Sequence, residues 1–173
     1  MLVKLMLSLL IIVGCTLVGN IYASSYGERV KLLSHLISTL QMLETEIVYG
    51  ATPLPLLLPR IATKSKEEIA DILLEVSDIL LKKEGDTFAE AWRRAVNINR
   101  KKSAFHRDDL DLLISLGNNL GTSDRENQVK HIRLAMEDIK RNFEAAVAQQ
   151  QKNAGLYKHL GLLAGVTIVI ILI

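Results

Sequence analysis

Two uncharged apolar runs close the ends of this 173-residue chain, and they constrain it more than anything between them. The first extends from Leu5 to Ala23, behind Lys4 and ahead of Glu28, Arg29 and Lys31. Its nineteen residues, wound as a helix, reach roughly 28 Å, close to the hydrocarbon thickness of a bilayer. The second, Leu160 to Ile173, has fourteen residues and reaches only about 21 Å. To span, it needs local thinning or a Lys158 that snorkels from the near interface. A buried core helix is the alternative reading of this shorter run.

Lys152, Lys158 and His159 precede the terminal run and nothing basic follows it. By the positive-inside rule the middle of the chain is then cytoplasmic and both termini lie across the membrane. The first run barely votes, with Lys4 and the α-amine set against Arg29 and Lys31. The expected organisation is a transmembrane segment over residues 1–23, a cytoplasmic helical bundle over 24–159 and a second transmembrane segment over 160–173. All nineteen acids and all but one of the twenty-one Lys and Arg residues fall in that middle part, leaving no global basic field to recruit nucleic acid.

Cys15 is the only cysteine, so there is no internal disulfide and no cysteine-based zinc cluster. Ile12-Val13-Gly14-Cys15 behind Lys4 reads like a lipoprotein cleavage box. The apolar stretch nevertheless continues past Cys15 to Ala23, where a cleaved signal gives way to polar sequence. An exported lipoprotein or envelope helical sensor anchored through Cys15 stands as the alternative, with the opposite topology.

Between the ends, three- and four-residue spacing of apolar residues predicts helices throughout. Val30, Leu33, Leu36/Ile37, Leu40, Leu43 and Ile47 mark one face of a helix continuous with the first membrane segment, closed by Gly50 as a left-handed cap. Thr52-Pro53 fits an N-cap and first position of a short helix that Pro59 disturbs. Ser65-Lys66-Glu67-Glu68 and Thr87-Phe88-Ala89-Glu90 both read as capping boxes, the first opening a helix that Gly85 closes. A further helix starts near Asp108 and Asp109 and is broken by Gly117 and Gly121. Val129, Ile132, Met136, Ile139, Phe143, Ala146 and Gln150 predict a final helix of about 50 residues that runs into the membrane, its inner face turning polar at Gln150 and Asn153. The fold class is all-α: an antiparallel bundle of about six helices with N- and C-terminal transmembrane helices.

Chemistry is sparse. His35, His106, His131 and His159 are scattered along the chain without ligand spacing, and no phosphate-binding glycine loop or nucleophile elbow occurs. Glu44 and Glu46, two apart on a helix, point to different faces. The expectation is a protein that is not an enzyme, with no cofactor, metal or small-molecule substrate and no nucleic-acid partner. Arg93, Arg94, Arg100, Lys101 and Lys102 form the one basic concentration, read either as a solvated face or, with Lys152 and Lys158, as residues facing anionic lipid headgroups. Two corners carry the partner-binding candidates: Glu44, Glu46, Tyr49, Gly50 and Pro53 at one, Asp124, Arg125 and Gln128 at the other. Both can fall at the membrane-distal pole. Glu44 as a hydrogen-bonding anchor and Asp124 as an N-cap are the plainer readings.

At these corners the chain resembles the stage III sporulation protein AB family of endospore-forming bacteria. The resemblance rests on Leu43-Glu-x-Glu-Ile-x-Tyr-Gly-x-Thr-Pro-Leu54, on Trp92, and on Leu116-Gly-x-x-Leu-Gly-x-x-Asp-Arg125 with Gln128, Lys130, His131 and Ile132; Leu160-Gly-x-Leu-Ala-Gly165 also fits. Cys15 is not part of that pattern. The family is similar in fold to the cytoplasmic domain of the type II secretion system F protein, a six-helix antiparallel bundle. The resemblance implies a mother-cell membrane platform in a secretion-like channel complex between mother cell and forespore. Its implied partners are membrane lipid and other channel proteins, among them the cytoplasmic ATPase, stage III sporulation protein AA.

Overall fold

The computed structural model describes residues 2–50, 52–82, 85–121 and 124–172, apart from the side chains of residues 2–5, 154, 158, 162 and 172. It is all-helical: α1 (Leu2–Tyr49), α2 (Leu54–Ala62), α3 (Glu67–Leu81), α4 (Phe88–Asn99), α5 (Arg107–Asn119) and α6 (Arg125–Leu172). The chain divides into two units, Lys31–Phe143 and the paired ends Met1–Val30 with Glu144–Ile173.

The first unit is a bundle in which α2 packs on α3, α3 on α4 and α4 on α5. Its core takes Leu32, Leu33, Leu36, Leu40, Leu43 and Ile47 from α1 and Val129, Ile132, Ala135 and Ile139 from α6. The predicted stripes are largely recovered; Leu32 and Ala135 are buried where Val30 and Met136 were expected, and those two are half-buried. A void among Leu36, Leu40, Leu43, Leu58, Ile61 and Trp92 in this core has a volume of about 10 Å³, near the lower limit for a single water. No buried side-chain polar atom among the described residues lacks a hydrogen bond.

Local chemistry explains the joints. Pro59 lies inside α2, where its ring nitrogen cannot donate to the carbonyl four residues back. That carbonyl, of Pro55, accepts instead from the buried Ser77 hydroxyl at 2.7 Å, so a missing helix bond becomes the tie between α2 and α3. The N-cap of α2 is Pro53, not Thr52, with Pro55 in the first turn. Ser65 does not cap α3: its hydroxyl turns back to the Ile61 carbonyl and lies 3.1 Å from Thr39 of α1, and Lys66 takes the cap position. The Thr87–Glu90 capping box of α4 forms as expected, with Thr87 N–H donating to Glu90 at 2.8 Å and Glu90 N–H to Thr87 Oγ1 at 3.3 Å. Asp109 is fully buried, accepting from the His106 amide at 2.8 Å and from Asn142 of α6 at 2.7 Å.

Gly117 does not break α5. It sits inside the helix because Trp92 of α4 presses on it: a Cβ there would meet Trp92 Cδ1 at 2.1 Å and Cγ at 2.4 Å. Gly121, at φ +81°, ends the turn and receives Phe88 in the same way, with a Cβ 2.9 Å from the Phe88 Cβ. Phe88 and Trp92 stack at 5.7 Å, and Trp92 donates its ring N–H to the Leu113 carbonyl at 2.7 Å. The glycines of the Leu-Gly-Asn-Asn-Leu-Gly motif are therefore sockets for the two aromatics of α4.

The second unit pairs the outer parts of α1 and α6 as antiparallel helices. A Cβ on Gly161 would lie 2.8 Å from the Cys15 carbonyl and 3.0 Å from Gly19 Cα; one on Gly165 would lie 2.9 Å from Ile12 Cα. Small residues thus let the two backbones approach closely, as in helix pairs within lipid. Tyr22 and Tyr26 stack on Tyr157 at 6.0 and 5.9 Å. Most other side chains stay outside: Met6, Leu10, Leu17, Leu163 and Ile170 are each at least 58% exposed. Both helices are long and apolar enough to cross a membrane, and neither run is a buried core helix of this chain. Leu156, the neighbour of the Tyr157 that stacks on Tyr22, is also exposed, so the apolar surface of α6 starts before Leu160, with tyrosines near its edge as at a membrane interface. α1 passes unbroken through Cys15.

Candidate partner-docking corner and basic face

α1 ends at Tyr49, and its last carbonyls need donors. Gly50 donates its N–H to the Glu46 carbonyl at 2.8 Å. It does not take the left-handed conformation expected of it; it is glycine because a Cβ would meet that same carbonyl at 2.4 Å. The next donors come from the start of the final helix. Arg125, in the first turn of α6, donates to the Val48 carbonyl at 3.3 Å and the Gly50 carbonyl at 3.2 Å. Asp124 fixes that turn as N-cap of α6, accepting from the Asn127 amide at 2.8 Å. Two corners some 75 residues apart in sequence are thereby one site.

Between them opens a groove of about 450 Å³ whose walls include Ile47, Gly50, Pro53, Leu54, Phe88, Arg125 and Gln128. Its lining combines apolar side chains with the polar Thr52, Arg125 and Gln128. Tyr49 stands beside it, 86% exposed. Six of the eight predicted partner-binding residues, Tyr49, Gly50, Pro53, Asp124, Arg125 and Gln128, gather at this end of the bundle.

The two glutamates diverge, as their spacing required. Glu44 accepts from Arg133 of α6 at 2.7 Å, with its side chain 18% exposed, and is the hydrogen-bonding anchor of the plainer reading. Glu46 faces a separate opening of about 500 Å³ with Arg60 and Lys64. Arg133 was missed in the sequence, as was Asn142: each acts across a helix–helix contact that no local pattern encodes.

The basic concentration lies on another part of the bundle. Arg93 donates to Asn118 at 3.1 Å and Arg94 lies 3.8 Å from Asp86, both on the outer side of α4. Arg100, Lys101 and Lys102 are exposed in the turn after α4. That turn leads to α5, whose first turn is tied to Asn142, so it lies at the end of the bundle opposite the groove. Lys152 is exposed on the paired-helix unit; the side chain of Lys158 lies outside the described residues.

A family model described as stage III sporulation protein AB matches residues 4–173. The stage III sporulation protein AB of Bacillus subtilis (strain 168) is 32% identical over 169 residues, 98% of each chain. A solved structure of a stage III sporulation protein AB, 30% identical, superposes with a TM-score of 0.66 over 72% of this chain and 98% of that one.

Proposed function

The chain belongs to the stage III sporulation protein AB family, a sporulation component, and from that premise we propose that it is a non-enzymatic membrane platform. It is an assembly component of a secretion-like channel complex between mother cell and forespore, and endospore formation requires it. The paired outer helices hold it in the mother-cell membrane with both termini across and the bundle in the cytoplasm. The groove formed by the α1–α2 and α5–α6 corners is the docking point for a cytoplasmic protein of the complex, with its ATPase, stage III sporulation protein AA, the first candidate.

One observation carries the reading. The chain ends form a close-packed helix pair whose outermost turns expose mostly apolar side chains, while the corner groove belongs to a separate unit. Apolar side chains so exposed favour lipid by about 25 cal/mol per Å² removed from water. Tyr49 supplies a large amphipathic ring, the residue type enriched at interface centres. A photo-crosslinker replacing Tyr49 in sporulating cells should capture a defined cytoplasmic protein of the channel complex. The same label at exposed Leu134, away from the groove, should not. Equal capture at both positions, or none at Tyr49 in a well-expressed protein, would end the docking proposal.

A further inference from the structure

By helical spacing α3 turns one face outward: Glu67, Asp71, Leu74, Asp78 and Leu81, with Glu75 beside them. Leu74 and Leu81, two turns apart, are 46% and 52% exposed. Glu67, Asp71, Glu75 and Asp78 make no ion pair among the described residues; on this helix only Glu68 does, with Lys66. Glu67, Asp71 and Glu75 follow at four-residue steps, where like charges repel. α4 packs on α3 as its antiparallel neighbour and carries the opposite surface: Arg93, Arg94, Arg100 and Lys101 face outward, with Ile98 49% exposed among them. Arg94 has only the loose contact to Asp86 at 3.8 Å, and Arg100 and Lys101 have no acidic partner among the described residues.

We infer that this two-helix face is a self-complementary docking surface for a second copy of the chain. A two-fold axis parallel to α3 and α4 sets the acidic α3 of each copy against the basic α4 of the other, satisfying both contacts at once. Leu74 and Leu81 alternate with the acids along α3 and Ile98 stands between the bases of α4, so apolar contact adds to the electrostatic match. Such an axis also returns residues 31 and 143 of both copies to the same end, as anchoring in a single membrane demands. The opposed charges specify a second copy over a generic partner, because acid and base stand side by side on the same surface in the order a two-fold exchange requires. This goes beyond the platform reading and does not depend on the corner groove.

The test uses two differently tagged full-length copies co-expressed in membranes, solubilised in mild detergent and purified through one tag. The wild-type pair should co-purify, and retention should fall several-fold between about 0.1 and 0.5 M salt as screening shortens the reach of the charges. Asp71→Lys with Asp78→Lys in both copies should lower retention at least tenfold, and so should Arg94→Glu with Lys101→Glu. Mixing one copy of each reversed type should restore it, since every contact is then opposite again. Unchanged Trp92 emission in the variants checks that the bundle is intact. Failure of the mixed pair to recover overturns the proposal. So does loss in the Arg94/Lys101 variant alone, which would assign the basic face to anionic lipid.

Discussion

Gly117→Ala tests the packing of the bundle at the point where its space is most committed. A methyl there would start 2.1 Å from Trp92 Cδ1, 2.4 Å from Cγ and 2.9 Å from Cβ. These are the root of a side chain that is 2% exposed, held by the Leu113 carbonyl at 2.7 Å and stacked on Phe88, so no flexible tip can step aside. Overpacking of this kind costs about 1–3 kcal/mol. Displacing the indole also threatens its hydrogen bond, a further ~0.5–1.5 kcal/mol. Against these, alanine inside a helix gains about 1 kcal/mol over glycine. The net expectation is a loss of about 1–3 kcal/mol, which at about 4 °C per kcal/mol for a domain of this size lowers Tm by roughly 4–12 °C. Trp92 is the single tryptophan, so its emission reports unfolding of the full chain in micelles from the affected spot. Gly155→Ala is the control, because nothing lies within 4 Å of a Cβ there, and it should be neutral or stabilising. A Gly117→Ala protein as stable as wild type, with unmoved Trp92 emission, would refute the socket argument.

Two further outcomes are expected. Gly165→Cys should form an intramolecular disulfide with Cys15 on mild oxidation in membranes, because the two Cβ positions start about 3.2 Å apart and the slight parting that the Ile12 Cα at 2.9 Å forces brings them into disulfide range. Counting free thiols on a monomer band reads it, and two reactive thiols after oxidation would show the helix register to be wrong. The Thr87 amide and then the Thr87 hydroxyl hold the Glu90 carboxyl below its ordinary value of 4.5. A depressed folded-state pKa adds stability above the unfolded value and loses it as pH falls through the folded one. The stability gap between wild type and Glu90→Gln should therefore be full at pH 7 and close below pH 4.5; a gap unchanged at pH 3 would contradict the capping box.

Much of this protein is written in local pattern. Apolar runs free of charge identify the two outer helices, because a long, mostly apolar segment with no charged side chain has few solvents besides lipid. Three- and four-residue periodicity found the bundle helices, since each buries one face. Thr87 and Glu90 announced their cap because both partners lie within one turn. The candidate docking corner was half legible: unusual residues at two helix ends marked it, and short connections in an antiparallel bundle allowed them one pole. What local pattern could not supply is any contact whose partner lies elsewhere in the chain. Ser65 looked like a cap but answers to Thr39 and the Ile61 carbonyl, and Gly117 looked like a breaker but houses Trp92. Arg125 became the cap of a helix that ends 76 residues earlier, at Tyr49. Glu44 found Arg133 across 89 residues, and the Pro55 carbonyl found Ser77. A helix can be specified by its own residues because its hydrogen bonds span four positions. Which surfaces then meet is a matter of tertiary packing, and only that decided which motif residues hold the fold together and which remain outside to be read.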